Sequence, residues 1–136
     1  MINQKLEGSR FDLAVVGFGG EPTLWWMRFL KKGYYHCLVA IKCQKEWLLI
    51  DPLLHCIDIV LIKKGNIRLY LKKHGYKTLD VNIKEPVNKL LRVSVFTCVE
   101  TVKRIIGVQK RSVITPYGLF KYLKKINQEG LDILNL

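Results

Sequence analysis

Three residues of this chain have types and spacing that suit covalent chemistry: Cys98, His36 and Asp51. Cys98 stands in Val95-Phe96-Thr97-Cys98-Val99-Glu100-Thr101-Val102, where an apolar run gives way to an amphipathic helix. Thr97 and Glu100 have the spacing of a capping box, so Cys98 falls in the first helical turn. Unpaired backbone N–H groups and the positive end of the helix dipole stabilise negative charge there. A thiol in that position gives up its proton more readily than a free one, which makes Cys98 a candidate nucleophile. Such a nucleophile needs a base and a third group to orient the base. His36 lies in Tyr34-Tyr35-His36-Cys37-Leu38-Val39-Ala40-Ile41, a β-branched and aromatic run that reads as a strand, and Asp51 ends the next one.

The elements that position these residues follow from the pattern. Residues 35–43 and 46–51 read as two strands joined by a tight turn at Gln44-Lys45, with Asp51-Pro52 closing the second. A two-residue turn sets Leu38 opposite Asp51 and His36 diagonally beside it on the same face. Upstream, residues 11–18 form a strand, Gly19-Gly20-Glu21-Pro22 a turn, and residues 23–31 a short helical segment stopped by Gly33. Downstream, the apolar run 53–62 and two further strands through 67–71 and 79–83 extend an antiparallel meander. The apolar segment 90–95 leads into the Cys98 helix, which Gly107 closes. A last helix opens at Thr115-Pro116, spaces Leu119, Phe120, Leu123 and Ile126 for a core, and ends before Gly130. The expected fold class is α+β, a small antiparallel sheet with helices packed on it.

Composition bounds the rest. A length of 136 residues fits a single domain over 1–136, and 49% apolar against 25% charged residues excludes a disordered tail. No apolar stretch reaches the roughly eighteen residues of a membrane span. The N-terminus lacks the hydrophobic core of a signal peptide, so the expected compartment is the cytoplasm. The four cysteines are read as free thiols, with Cys37, Cys43 and Cys56 as small inert hydrophobes in strand-like contexts.

The net charge of +12 predicts a positive field that attracts anions, a polyanion or nucleic acid among them. The lysines nonetheless come as scattered pairs, 31/32, 63/64, 72/73 and 124/125, the pattern of a solvated surface rather than a groove. A zinc site from His36, Cys37, Cys43, His55 and Cys56 is disfavoured, because neighbours such as His36 and Cys37 point to opposite faces of a strand and no C-x-x-C knuckle exists. Gly17-Phe18-Gly19-Gly20-Glu21-Pro22 lacks the third glycine of a dinucleotide loop and the Gly-Lys-Ser/Thr of a P-loop, and reads as a turn. His74 is a solvated turn residue. Trp25, Trp26, Tyr34 and Tyr35 either wall a cleft near His36 or pack as core and edge aromatics. No cofactor and no metal is expected.

The order of the reactive residues resembles a known family. A His on a strand, an acidic or polar residue on the next strand and a Cys opening a later helix is similar to the circularly permuted NlpC/P60 papain-like proteins, which include the lecithin:retinol acyltransferase-like group. His36 precedes Cys98, as the permuted order requires, and Phe96-Thr97-Cys98-Val99-Glu100-Thr101-Val102 looks like that group's Cys-helix entry. The resemblance covers about residues 34–107. It implies a permuted papain-like fold and acyl transfer on an amide or ester, with Cys98 as nucleophile, His36 as base and acid, and Asp51 as orienting group. It also implies substrates such as peptide or cell-wall amides or lipid acyl groups. Two other functions stay open: a catalytically inactive binding or assembly module with a basic surface, a phage protein being one source of such a module, and a plain nucleic-acid-binding domain.

Overall fold

The computed structural model describes residues 13–84 and 97–134. Five strands, β1 (Leu13–Gly19), β2 (His36–Cys43), β3 (Glu46–Pro52), β4 (Ile57–Ile62) and β5 (Lys77–Asn82), form one sheet in the order β4-β3-β2-β1-β5. All neighbouring pairs are antiparallel, so β1 to β4 are a meander and β5 returns to the free side of β1. A short 3-10 helix (Trp25–Phe29) joins β1 to β2. Helices α1 (Ile67–Lys73), α2 (Cys98–Ile106) and α3 (Pro116–Leu134) complete the α+β fold. No helix among the described residues is long and apolar enough to cross a membrane.

Strand alternation sorts the core into two layers. Ala14, Val16 and Phe18 of β1 and Cys37, Val39 and Ile41 of β2 point to one face. There they pack with Val99, Val102 and Ile106 of α2 and Leu119 and Leu123 of α3. Val15, Leu38, Ala40, Trp47 and Leu49 point to the other, where Ile67 and Leu71 of α1 cover them. The β2–β3 register follows from a two-residue turn: Cys43 pairs with Glu46 and Val39 with Ile50, with Gln44 at φ 58°. Extended by one residue beyond Val39 and Ile50, the same register sets Leu38 opposite Asp51.

Three expectations are corrected. Residues 67–71 form a helix rather than a strand, because Asn66 caps it: its side-chain oxygen accepts from the Arg68 and Leu69 amides at 2.9 and 3.4 Å. Ile67 and Leu71, one turn apart, are buried, whereas Leu69, which would share their face in a strand, is exposed. The last helix starts where expected, with Thr115 Oγ1 accepting from the Gly118 amide at 3.0 Å, but it runs through Gly130 to Leu134. Gly130 costs a helix about 1 kcal/mol relative to Ala, which is too little to stop one already docked through Leu119 and Leu123. Of the run 53–62, only residues 57–62 are strand; Leu53 and Cys56 close a turn by a 2.8 Å backbone bond. The segment 90–95 lies outside the described residues.

Candidate functional site

The site assembles where β1 ends, β2 begins and β3 ends. Gly19 pairs with His36, and the Tyr35 amide donates to the Gly19 carbonyl at 3.0 Å, which fixes the entry of the chain into β2. Gly20 adopts φ 84°, and a Cβ there would lie 2.8 Å from the His36 Cβ, so the turn and the histidine backbone approach as only glycine allows. His36 Nε2 is 2.6 Å from Asp51 Oδ1, with 18% and 28% of the two side chains exposed. This contact leaves Nδ1 as the ring nitrogen available to a thiol.

Cys98 is the first residue of α2. The Thr97 side chain accepts from the Glu100 amide at 3.2 Å and so caps the helix. The Glu100 carboxylate turns to Lys103 and Arg104, at 3.4 and 3.2 Å. At its far end α2 closes on Gly107 at φ 79°, where a Cβ would sit 2.4 Å from the Lys84 carbonyl oxygen. The Lys84 amide donates to the Ile106 carbonyl at 3.1 Å, tying α2 to the chain just after β5. Between these ends Val99, Val102 and Ile106 bury α2 against the sheet, with Cys98 packed against the same cluster as Cys37.

The structure therefore brings His36, Asp51 and Cys98 together, and it adds Cys37. The neighbouring Cys37 thiol is the largest influence on the Cys98 proton and lowers its pKa. Burial opposes ionisation, but with the further bonds from His36 and the Cys37 backbone the Cys98 pKa falls to about 4. His36 moves the other way. Burial disfavours its charged ring, but the hydrogen bonds to Asp51 and Cys98 outweigh that and raise its pKa to about 9. Cys37 is wholly buried, and its bond to Cys98 together with burial holds its own thiol protonated, so it remains a donor. Between these values the favoured state is a thiolate beside an imidazolium.

Sequence reasoning missed Cys37 as a partner of Cys98. Strand alternation correctly separates the His36 and Cys37 side chains, but His36 is the first residue of β2, so its ring sits at the sheet end. From there it reaches Asp51 on one side and the start of α2 on the other. Tyr76 was missed too. It packs beside Gly17 and Gly19, half-buried, and burial together with the negative charges of Asp51 and Cys98 raises its pKa. No motif marks it, because α1 had first to be recognised as a helix returning the chain to β5.

The other candidates stand apart. Cys43 is at the opposite end of β2, and Cys56 is an exposed turn residue rather than a strand hydrophobe. All four cysteines are free. Tyr34 lines no cleft: it is buried among Phe18, Tyr117 and Phe120, with ring centroids at 6.3, 4.9 and 5.0 Å. Trp25 and Trp26 are exposed. Among the described residues no group of three His, Cys, Asp or Glu is placed to hold a metal ion. Several lysines lie over the chain's own aromatic rings, Lys31 and Lys121 on Tyr117, Lys124 on Phe120 and Lys42 on Trp47, so the positive charge is spread over several elements. A cavity of about 450 Å³ between β5 and α3, lined by Val81, Ile106 and Leu123, lies at the other end of α2 from Cys98.

No protein-family model, no curated protein and no solved structure matches this chain.

Proposed function

We propose that Cys98, His36 and Asp51 form a thiol acyl-transfer site of the circularly permuted NlpC/P60 papain-like kind, acting on an amide or ester bond as a hydrolase or acyltransferase. The observation that carries this reading is the convergence of an ion-paired histidine, Nε2 at 2.6 Å from Asp51, on a cysteine at a capped helix start. The Cys98 thiolate attacks the substrate carbonyl, and the Cys98 backbone N–H, free of a helical partner in the first turn, stabilises the oxyanion. The His36 imidazolium then donates its proton to the leaving amine or alcohol. Water or an acyl acceptor, deprotonated by the now neutral ring, releases the acyl group. Asp51 acts through His36 as a positioning residue. Peptide and cell-wall amides and lipid acyl groups are the substrate classes the resemblance offers. The cytoplasm, where thiols stay reduced, suits four unpaired cysteines.

Rate-resolved labelling tests the reading without a substrate. Near neutral pH iodoacetamide modifies Cys98 well before Cys37, Cys43 or Cys56, as followed by mass spectrometry of the peptides. Equal, slow labelling of all four would favour the inactive basic module. Retention on DNA or RNA that falls steeply with salt and ignores Cys98→Ala would favour nucleic-acid binding.

A further inference from the structure

The two edges of the sheet are finished differently. On β5, Asp80 makes a two-point ion pair with Arg68, at 2.9 and 2.6 Å, and its carbonyl accepts a 3.0 Å bond from Asn127 of α3. Charge and a covering helix are how monomeric proteins blunt an edge strand. β4 has neither. Its sequence is Ile57-Asp58-Ile59-Val60-Leu61-Ile62, and none of it is buried: Ile59 is 63% exposed and Ile57, Val60 and Leu61 nearly half. Ile59 pairs with Ile50 and Val60 with Leu49, so the apolar side chains continue both core layers beyond the helices that cover them. An apolar strand with an open main-chain rim is a template for another strand.

The charges on and after β4 say which strand. Asp58 stands opposite Asp51, two like charges facing each other across the β3–β4 pair, and among the described residues no cation pairs with Asp58. Lys63 and Lys64 follow directly. When a strand pairs antiparallel with its own copy about a two-fold axis, opposite residues share a face, so even positions meet even ones and odd meet odd. One such register sets Asp58 against the copy's Lys64, Val60 against Ile62, and Leu61 against Leu61. Ile59 then faces the copy's Lys63, and the apolar centre from Val60 to Ile62 lies between two symmetry-related copies of the Asp58–Lys64 pair, which is the self-complementarity a two-fold interface requires.

We propose that β4 is a dimerisation strand that pairs in this register with β4 of a second copy of the chain, joining the two sheets into one. The second copy's Lys64 then neutralises Asp58 across from Asp51. Sedimentation velocity on the full chain across the micromolar range tests this. The wild type sediments as a dimer, and Ile59→Lys sediments as a monomer with an unchanged circular dichroism spectrum. Asp58→Lys weakens the dimer by roughly tenfold or more, and adding Lys64→Asp restores it, because the charges are exchanged and not removed. A wild type that stays monomeric, or an Ile59→Lys variant that is folded and dimerises as well as the wild type, overturns the proposal. If Ile59→Lys fails to fold, the exposed charge pair decides: a double variant no tighter than Asp58→Lys alone overturns the register.

Discussion

Replacing His36 by Ala slows alkylation of Cys98 at pH 6 by on the order of 10–100-fold and leaves the rate at pH 10 within a few-fold of the wild type. In the wild type the Cys98 thiol, with its pKa at about 4, is fully ionised at pH 6. Without the histidine it loses one hydrogen bond and one neighbouring positive charge, while the Cys37 bond and the helix start remain. Its pKa then climbs toward the ordinary thiol value near 8.5, where well under a tenth is thiolate at pH 6. The gain in intrinsic nucleophilicity of a more basic sulfur offsets part of the loss, which is why the expected range is wide. At pH 10 both proteins are thiolate and the difference closes. Asp51→Asn keeps an acceptor for Nε2 but removes the carboxylate charge, so its effect at pH 6 has the same sign and is smaller. An unchanged rate at pH 6 in His36→Ala would mean that the imidazole plays no part in ionising Cys98.

The second large effect is on stability. His36 has a folded-state pKa raised to about 9, so its contribution is complete below the unfolded value of about 6.5 and disappears as pH rises through 9. Cys98 has a folded-state pKa lowered to about 4, so its contribution is complete above the unfolded value near 8.5 and disappears as pH falls through 4. Between about 6.5 and 8.5 the two slopes cancel: the folded pair holds one proton as thiolate and imidazolium, and the unfolded pair also holds one, as thiol and neutral imidazole. Below 6.5 the unfolded chain holds two protons against one. Stability therefore falls toward pH 4 with a slope of up to about 1.4 kcal/mol per pH unit from this pair alone. Denaturant unfolding of the wild type and Cys98→Ser at pH 4, 5, 6 and 7.5 isolates it, since other carboxylates titrate alike in both. The wild-type advantage shrinks by a few kcal/mol from pH 7.5 to 4. A difference independent of pH would place a neutral thiol in the folded protein.

What the sequence made legible was local and periodic. The Gln44-Lys45 turn, by fixing two residues between strands, carried the register that brings His36 to Asp51, and Thr97 with Glu100 marked the helix that presents Cys98. Where two periodicities competed, the reading failed: Ile67-Arg68-Leu69-Tyr70-Leu71 alternates like a strand, and only the preceding Asn66, as a cap, distinguishes the helix that buries Ile67 and Leu71. Gly130 reads as a stop on propensity alone, and the tertiary contacts of Leu119 and Leu123 override it. The Cys37–Cys98 contact lay beyond any spacing rule, since it depends on how α2 lies on the sheet. The exposed character of β4 was equally hidden, because a strand with five apolar residues in six looks the same at the centre of a sheet and at its edge.

Cys98, with its pKa at about 4, is an anion at neutral pH, held by His36 and Cys37. The most direct measurement is the ultraviolet thiolate absorbance of the protein titrated from acid to alkaline pH, with Cys98→Ser as the blank. A single-thiolate step near pH 4, present in the wild type and missing from Cys98→Ser, is the expected result. A difference spectrum that stays flat until the pH of an ordinary thiol, near 8.5, would contradict it.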